Sequence, residues 1–119
     1  MKKRDNDEEF DEGLLPASTA VNVGKFVEYA KGSVVSKTLV DNSAGTLTLF
    51  SFDKGQGLSE HSAPFDAVVQ VIDGEVEIRI GGKPVKASEG EMVLMPANIP
   101  HALKAIKKFK MLLTMLRAK

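Results

Sequence analysis

The chain has no cysteine and no tryptophan, one tyrosine and only two histidines among its 119 residues. Without cysteine there is no disulfide framework, no thiolate zinc site and no cysteine nucleophile. Net charge is absent too, since 16 Lys and Arg balance 16 Asp and Glu. That argues against the broad electrostatic footprint of a nucleic-acid binder, so no nucleic-acid partner is expected. No apolar run approaches the roughly 20 residues of a membrane span, so no membrane partner is expected either. The charged start offers no apolar signal-peptide stretch, and the expected location is cytoplasmic. Also missing are a Gly-x-Ser-x-Gly elbow, a P-loop and a dinucleotide glycine fingerprint.

What is present fits one small domain. Hydrophobic residues make up 43% and charged residues 27%, enough for a single core without covalent staples. Residues 1–12 hold six acidic and three basic side chains, with Phe10 the one large apolar residue after the start. They are expected to form a disordered charged arm, leaving 13–119 as the folded domain. The far end has the opposite bias. Lys104, Lys107, Lys108, Lys110, Arg117 and Lys119 occur there with no acid. This is read as a solvated strand face, with a basic interaction patch as the alternative.

The body reads as all-β. Thr46 to Phe52 mixes β-branched, apolar and aromatic residues, and Ala67 to Ile72 is a short apolar run. Val76, Ile78 and Ile80 alternate with Glu77 and Arg79. From Phe109 to Leu116 both parities carry apolar residues, so that strand is expected to be covered on both faces. Asp73-Gly74 and Gly81-Gly82 are hairpin dipeptides, and Pro96 and Pro100 bracket a tight connection. Val21 to Tyr29 offers the one helical alternative. Seven or more short strands at this spacing predict a sandwich or barrel.

His61 and His101 each stand just after a loop, at the start of a β-rich segment. Matching positions 40 residues apart suggest that the two rings meet in space. Neutral imidazole is both a common transition-metal ligand and a proton shuttle near neutral pH.

These residues resemble two motifs of the cupin superfamily, in its small single-domain, cupin 2 conserved-barrel type. Gly55, His61 and Gly74 match G-x5-H-x-H-x3-4-E-x6-G. Gly90, Pro96 and His101 match G-x5-P-x-G-x2-H-x3-N. The resemblance implies a cupin double-stranded β-helix, a jelly-roll barrel, over most of the chain. It also implies that the second histidine and the glutamate of the family's metal site correspond to Ala63 and Ala67. The second motif's glycine and asparagine correspond to Asn98 and Ala105. Two of four ligands remain, so the metal-binding motif is incomplete. Alanine offers no donor atom, and an iron facial triad needs a carboxylate.

The candidate metal ligands are therefore His61 and His101, with Gln70 or Glu60 as supplements. Alternation places Gln70 and Asp66 outward if Ala67 faces inward, unless Pro64-Phe65-Asp66 forms a bulge. Phe50, Phe52, Ala63, Ala67, Met95 and Met111 are candidate pocket-lining residues, with core packing the competing role for the aromatic and Met side chains.

The expected function is a small-molecule-binding cupin domain of unknown specificity, with a weak divalent metal (Zn, Ni, Fe or Mn) held by two His, or no cofactor. One alternative is a metal-dependent enzyme of isomerase or dioxygenase type; no catalytic residue is named. Another is a non-catalytic sensing or structural homodimer. A homodimer is expected because Leu112 and Leu116 lie on the parity opposite Phe109 and Met111, and an exposed apolar face commonly marks an interface. Residues 14–27 are the segment expected to cross to the partner, against the alternative that they fold back over their own sheet.

Overall fold

A computed structural model describes residues 13–117. Among them are a 3-10 turn, Val23–Lys25, and nine strands: β1 (Val34–Asn42), β2 (Gly45–Phe52), β3 (Gly57–His61), β4 (Asp66–Asp73), β5 (Glu75–Ile80), β6 (Lys83–Ser88), β7 (Met92–Met95), β8 (His101–Ala105) and β9 (Phe109–Leu116). They form a five-stranded sheet in the order β1-β2-β9-β4-β7 and a four-stranded sheet in the order β3-β8-β5-β6. All the pairings are antiparallel. The chain shuttles between the two sheets as a jelly roll, the expected double-stranded β-helix. The expectation of a disordered arm at 1–12 lies outside the described residues. No helix among those residues is long and apolar enough to cross a membrane.

The period-two pattern decides which faces meet. Val76 and Ile78 of β5 are buried, while Arg79 is exposed on the other parity. In β4 Ala67, Val69 and Val71 are buried, and Asp66 and Gln70 are exposed. The inward sets join Phe52, Met95, Leu103, Ala105, Phe109 and Met111 in one core. Phe52 stacks on Phe109 with ring centroids 4.6 Å apart, and Phe50 stacks on Phe52 at 5.7 Å. Fully burying side chains of this size stabilises the fold by about 1.5–3 kcal/mol each. Gly74 fixes one corner. Its φ is 81°, and a Cβ there would lie 2.0 Å from the Lys108 carbonyl oxygen. Only glycine lets the β4–β5 turn lie against the entry to β9.

The second face of β9 is covered by the chain's own N-terminal segment. Val27 is fully buried with Leu39 and Leu49, and Val23, Phe26, Val35, Val40, Leu47 and Leu112 pack around them. Polar ties hold the segment down. Lys37 Nζ donates to the Phe26 carbonyl at 2.8 Å, and buried Ser51 donates its hydroxyl to the Glu28 carbonyl at 2.8 Å. Lys110 Nζ donates to the Gly24 carbonyl, and Tyr29 donates its phenol to Asp73 Oδ2, both at 2.5 Å. The Lys108 and Lys110 ammoniums lie 4.7 and 4.9 Å from the centroid of the Tyr29 ring. Burial, then the Asp73 carboxylate that accepts its proton, pushes the Tyr29 phenol well above its ordinary pKa.

Three expectations change here. The helical alternative over Val21 to Tyr29 shrinks to the three-residue 3-10 turn, because the segment follows the sheet surface and bonds to it. Lys108 and Lys110, read as part of a solvated face, fasten that segment. In the single chain, Val23, Phe26 and Val27 pack over their own sheet, the alternative given for residues 14–27, so Leu112 is already covered. Val34 and Val35 show the same logic: one packs on the inner core, the other under the segment.

Candidate functional site

The two histidines meet where β3 pairs with β8. Leu58 faces Leu103 and His61 faces His101, so three steps along β3 match two along β8. This bulge is what aligns the rings. Regular alternation would put His61 on the face opposite Leu58. His101 lies on the same parity as buried Leu103 and Ala105. The ring centroids are 4.5 Å apart and the planes cross at 68°.

Each ring is anchored in the same way. His61 Nδ1 lies 2.8 Å from the Ser59 carbonyl, and His101 Nδ1 lies 3.2 Å from the Ile99 carbonyl. A carbonyl can only accept, so each neutral ring carries its proton on Nδ1 and its lone pair on Nε2. Both Nε2 atoms are thereby assigned as acceptors toward a metal or a donor group. Local contact with a carbonyl two residues back is the signal that sequence reasoning passed over.

The surroundings differ. His61 is exposed, whereas His101 is 5% exposed. Burial pushes the His101 imidazole below its ordinary pKa; the Ile99 carbonyl opposes this and nearby His61 adds to it. Its burial therefore favours the neutral form of His101.

The loop that delivers His101 is held by the stretch after His61. Asn98 N–H donates to the Ala63 carbonyl at 2.7 Å, and Ala97 N–H donates to Asp66 Oδ1 at 2.9 Å. Gly81 N–H donates to the Pro100 carbonyl at 2.8 Å. Asn98, at the family's glycine position, has φ of 66°. Asparagine tolerates this left-handed conformation better than other side chains.

The other candidate residues fall into two groups. Ala67, Phe52, Met95 and Met111 are buried in the core between the sheets, and Phe50 packs against it. Those side chains fill the barrel, and Ala63, half-buried, is the candidate left beside the histidines at the chain surface. Gln70 is corrected as a supplementary ligand. The register from Ala67 to Gln70 is unbroken against both neighbours, so Gln70 lies on the outer parity opposite Met92 and Leu112. Glu60 is exposed within the β3 bulge. Among the described residues no group of three or more His, Cys, Asp or Glu could hold a metal ion. The donor set is two imidazoles with no carboxylate, which does not fit a full metal centre. An open depression of about 470 Å3 lies elsewhere, bordered by Glu77, Arg79, Ala102, Leu103 and Lys104.

With this geometry in hand, the chain can be set beside known proteins. The family of cupin domains, Cupin_2, matches residues 48–116. A conserved protein of unknown function from Streptococcus pyogenes is 34% identical, with a TM-score of 0.86 over 96% of this chain and 99% of that one. A cupin 2 conserved barrel domain protein from Leptotrichia buccalis is 44% identical, with a TM-score of 0.80 over 82% of this chain and 47% of that one. A cupin superfamily protein from Desulfitobacterium hafniense is 25% identical, with a TM-score of 0.82 over 87% of this chain and 95% of that one. No protein of curated function matches.

Proposed function

Since the chain belongs to the cupin family, we propose that it is a small-molecule-binding cupin whose ligand is anchored by the Nε2 atoms of His61 and His101. One observation carries this reading: two imidazoles lie 4.5 Å apart with both Nδ1 atoms already committed to main-chain carbonyls. Two fixed acceptors beside a half-buried alanine suit a ligand that presents hydroxyl or amide donors.

A divalent transition metal is held weakly at the same point. Two neutral ligands supply half of a tetrahedral shell and no compensating charge. Ala63 and Ala67 add no donor, and Gln70 faces outward. This favours binding or sensing over a metal-dependent isomerase or dioxygenase. The cytoplasmic location and the homodimer belong to the same reading.

Calorimetric titration of untagged protein with Zn2+, Ni2+, Mn2+ and anaerobic Fe2+, followed by a metal-free thermal-shift screen of small polar ligands, tests it. The expected result is weak metal binding, and at least one ligand whose stabilisation disappears in both His61→Ala and His101→Ala. Tight metal binding that survives both substitutions contradicts the reading.

A further inference from the structure

Each sheet has two edges, and the four edges are protected unequally. At β1, the Thr38 and Leu39 carbonyls accept from the Leu14 and Leu15 N–H groups at 2.9 and 3.1 Å. β6 carries exposed Lys83, Pro84 and Lys86. β3 is bulged and carries exposed Glu60. Charge, proline and bulges are the usual devices that stop an edge from recruiting another strand. β7 has none of them. It reads Met-Val-Leu-Met, pairs with β4 alone among the described residues, and keeps an unbroken register there. Its outward side chains, Met92 and Leu94, are 62% and 56% exposed.

The hydrogen-bond phase of this edge is fixed. Val71 N–H donates to the Glu91 carbonyl at 2.9 Å. Alternation from that pair turns the main-chain groups of Val93 and Met95 toward β4 and those of Met92 and Leu94 toward the open side. An antiparallel copy of the same strand, related by a twofold axis through Val93, places Met92 opposite Leu94 of the second copy. That register satisfies all four open groups and keeps outward side chains on one face. An axis through Leu94 would place Met92 opposite Pro96, which has no N–H to give. The edge is therefore self-complementary in one register only.

We propose that β7 is the contact strand between two copies of this chain, joining their five-stranded sheets into one ten-stranded sheet. Val68, opposite Leu94 on the same outer face, flanks the contact strand. A four-residue edge with few flanking side chains belongs to the small class of interfaces, below about 1,200 Å2 in total. The dimer is accordingly weak and concentration-dependent. This inference rests on the homodimer of the proposed function and assigns its surface.

Sedimentation velocity over roughly 5 to 200 µM, a range suited to weak self-association, tests it with a charge-register pair. The wild type is expected to shift from monomer toward dimer. The double variant Met92→Lys, Leu94→Lys places like charges directly opposite each other and should lower association about tenfold or more. The double variant Met92→Lys, Leu94→Glu places opposite charges in the same positions and should retain the dimer. Both positions carry exposed side chains, and far-UV circular dichroism confirms folding. Lys86→Glu on the β6 edge should change nothing. A wild type that stays monomeric overturns both the homodimer and this surface. A dimer that is indifferent to the β7 variants overturns the surface alone.

Discussion

His61 and His101 face each other across paired strands and make the same local bond, Nδ1–H to the carbonyl two residues back. Their halves of the molecule are otherwise unlike. The half around His61 keeps the glycines that shape its turns, Gly55 and Gly74, but carries alanine at both further ligand positions. The half around His101 buries its histidine and has Asn98, at φ 66°, where the family pattern has a glycine. Backbone geometry survives substitution by any residue that tolerates the same dihedrals. Coordination chemistry does not survive the loss of a donor atom.

Restoring the donors should have the largest effect. The double variant Ala63→His, Ala67→Glu puts an imidazole and a carboxylate where the family pattern has them. Ala67 is 4% exposed, so without metal the buried carboxyl should destabilise the fold. Zn2+ or Ni2+ should then bind about 100-fold more tightly than to the wild type and raise the melting temperature. Calorimetry that shows wild-type affinity would mean that the frame around His61 has also been lost.

Next comes the asymmetry of the histidines themselves. His101→Ala should cost about 1–3 kcal/mol in chemical denaturation, the scale of a buried side chain with a hydrogen bond. His61→Ala should stay within about 0.5 kcal/mol, as surface substitutions usually do. Equal costs would erase the distinction between the sealed and the open ring.

The pH dependence sharpens the same contrast. The folded-state pKa of His101 lies below its unfolded value. As pH falls below about 6.5, the unfolded chain binds a proton that the folded chain resists, so stability declines until the folded pKa is passed. Urea midpoints measured from pH 7.5 downward should show this loss in wild type and in His61→Ala. In His101→Gln it should be reduced.

The smallest effect is expected at Asn98. Asn98→Gly should change stability by roughly 1 kcal/mol or less, because both residues accept positive φ. Asn98→Val should cost more, since a β-branched residue is strained there. Thermal denaturation ranks the two.

The strands and the meeting of the histidines were legible because period-two burial and motif spacing are properties of the chain itself. Val76 and Ile78 inward with Arg79 outward needs no partner to be inferred. The role of Val23, Phe26 and Val27 was not legible. Their apolar character shows that they cover something, but only the three-dimensional path shows that it is Leu39, Leu49 and Leu112. The same holds for Lys108 and Lys110, whose contacts with Tyr29 join positions far apart in the sequence. The β3 bulge was also hidden, since it is a count of residues on one strand against another. Gln70 was readable from alternation alone, and its outward position follows from the unbroken β4 register.

In the proposed site both Nε2 atoms act together. Long-range 1H–15N correlation spectra of the imidazoles near pH 7.5, with and without Zn2+, measure this directly. The predicted result is the Nδ1–H tautomer in both rings and a Zn2+-induced shift of both Nε2 signals at the same concentration, lost for each ring when the other is replaced by Ala. An Nε2–H tautomer in either ring, or a shift confined to one histidine, would contradict it.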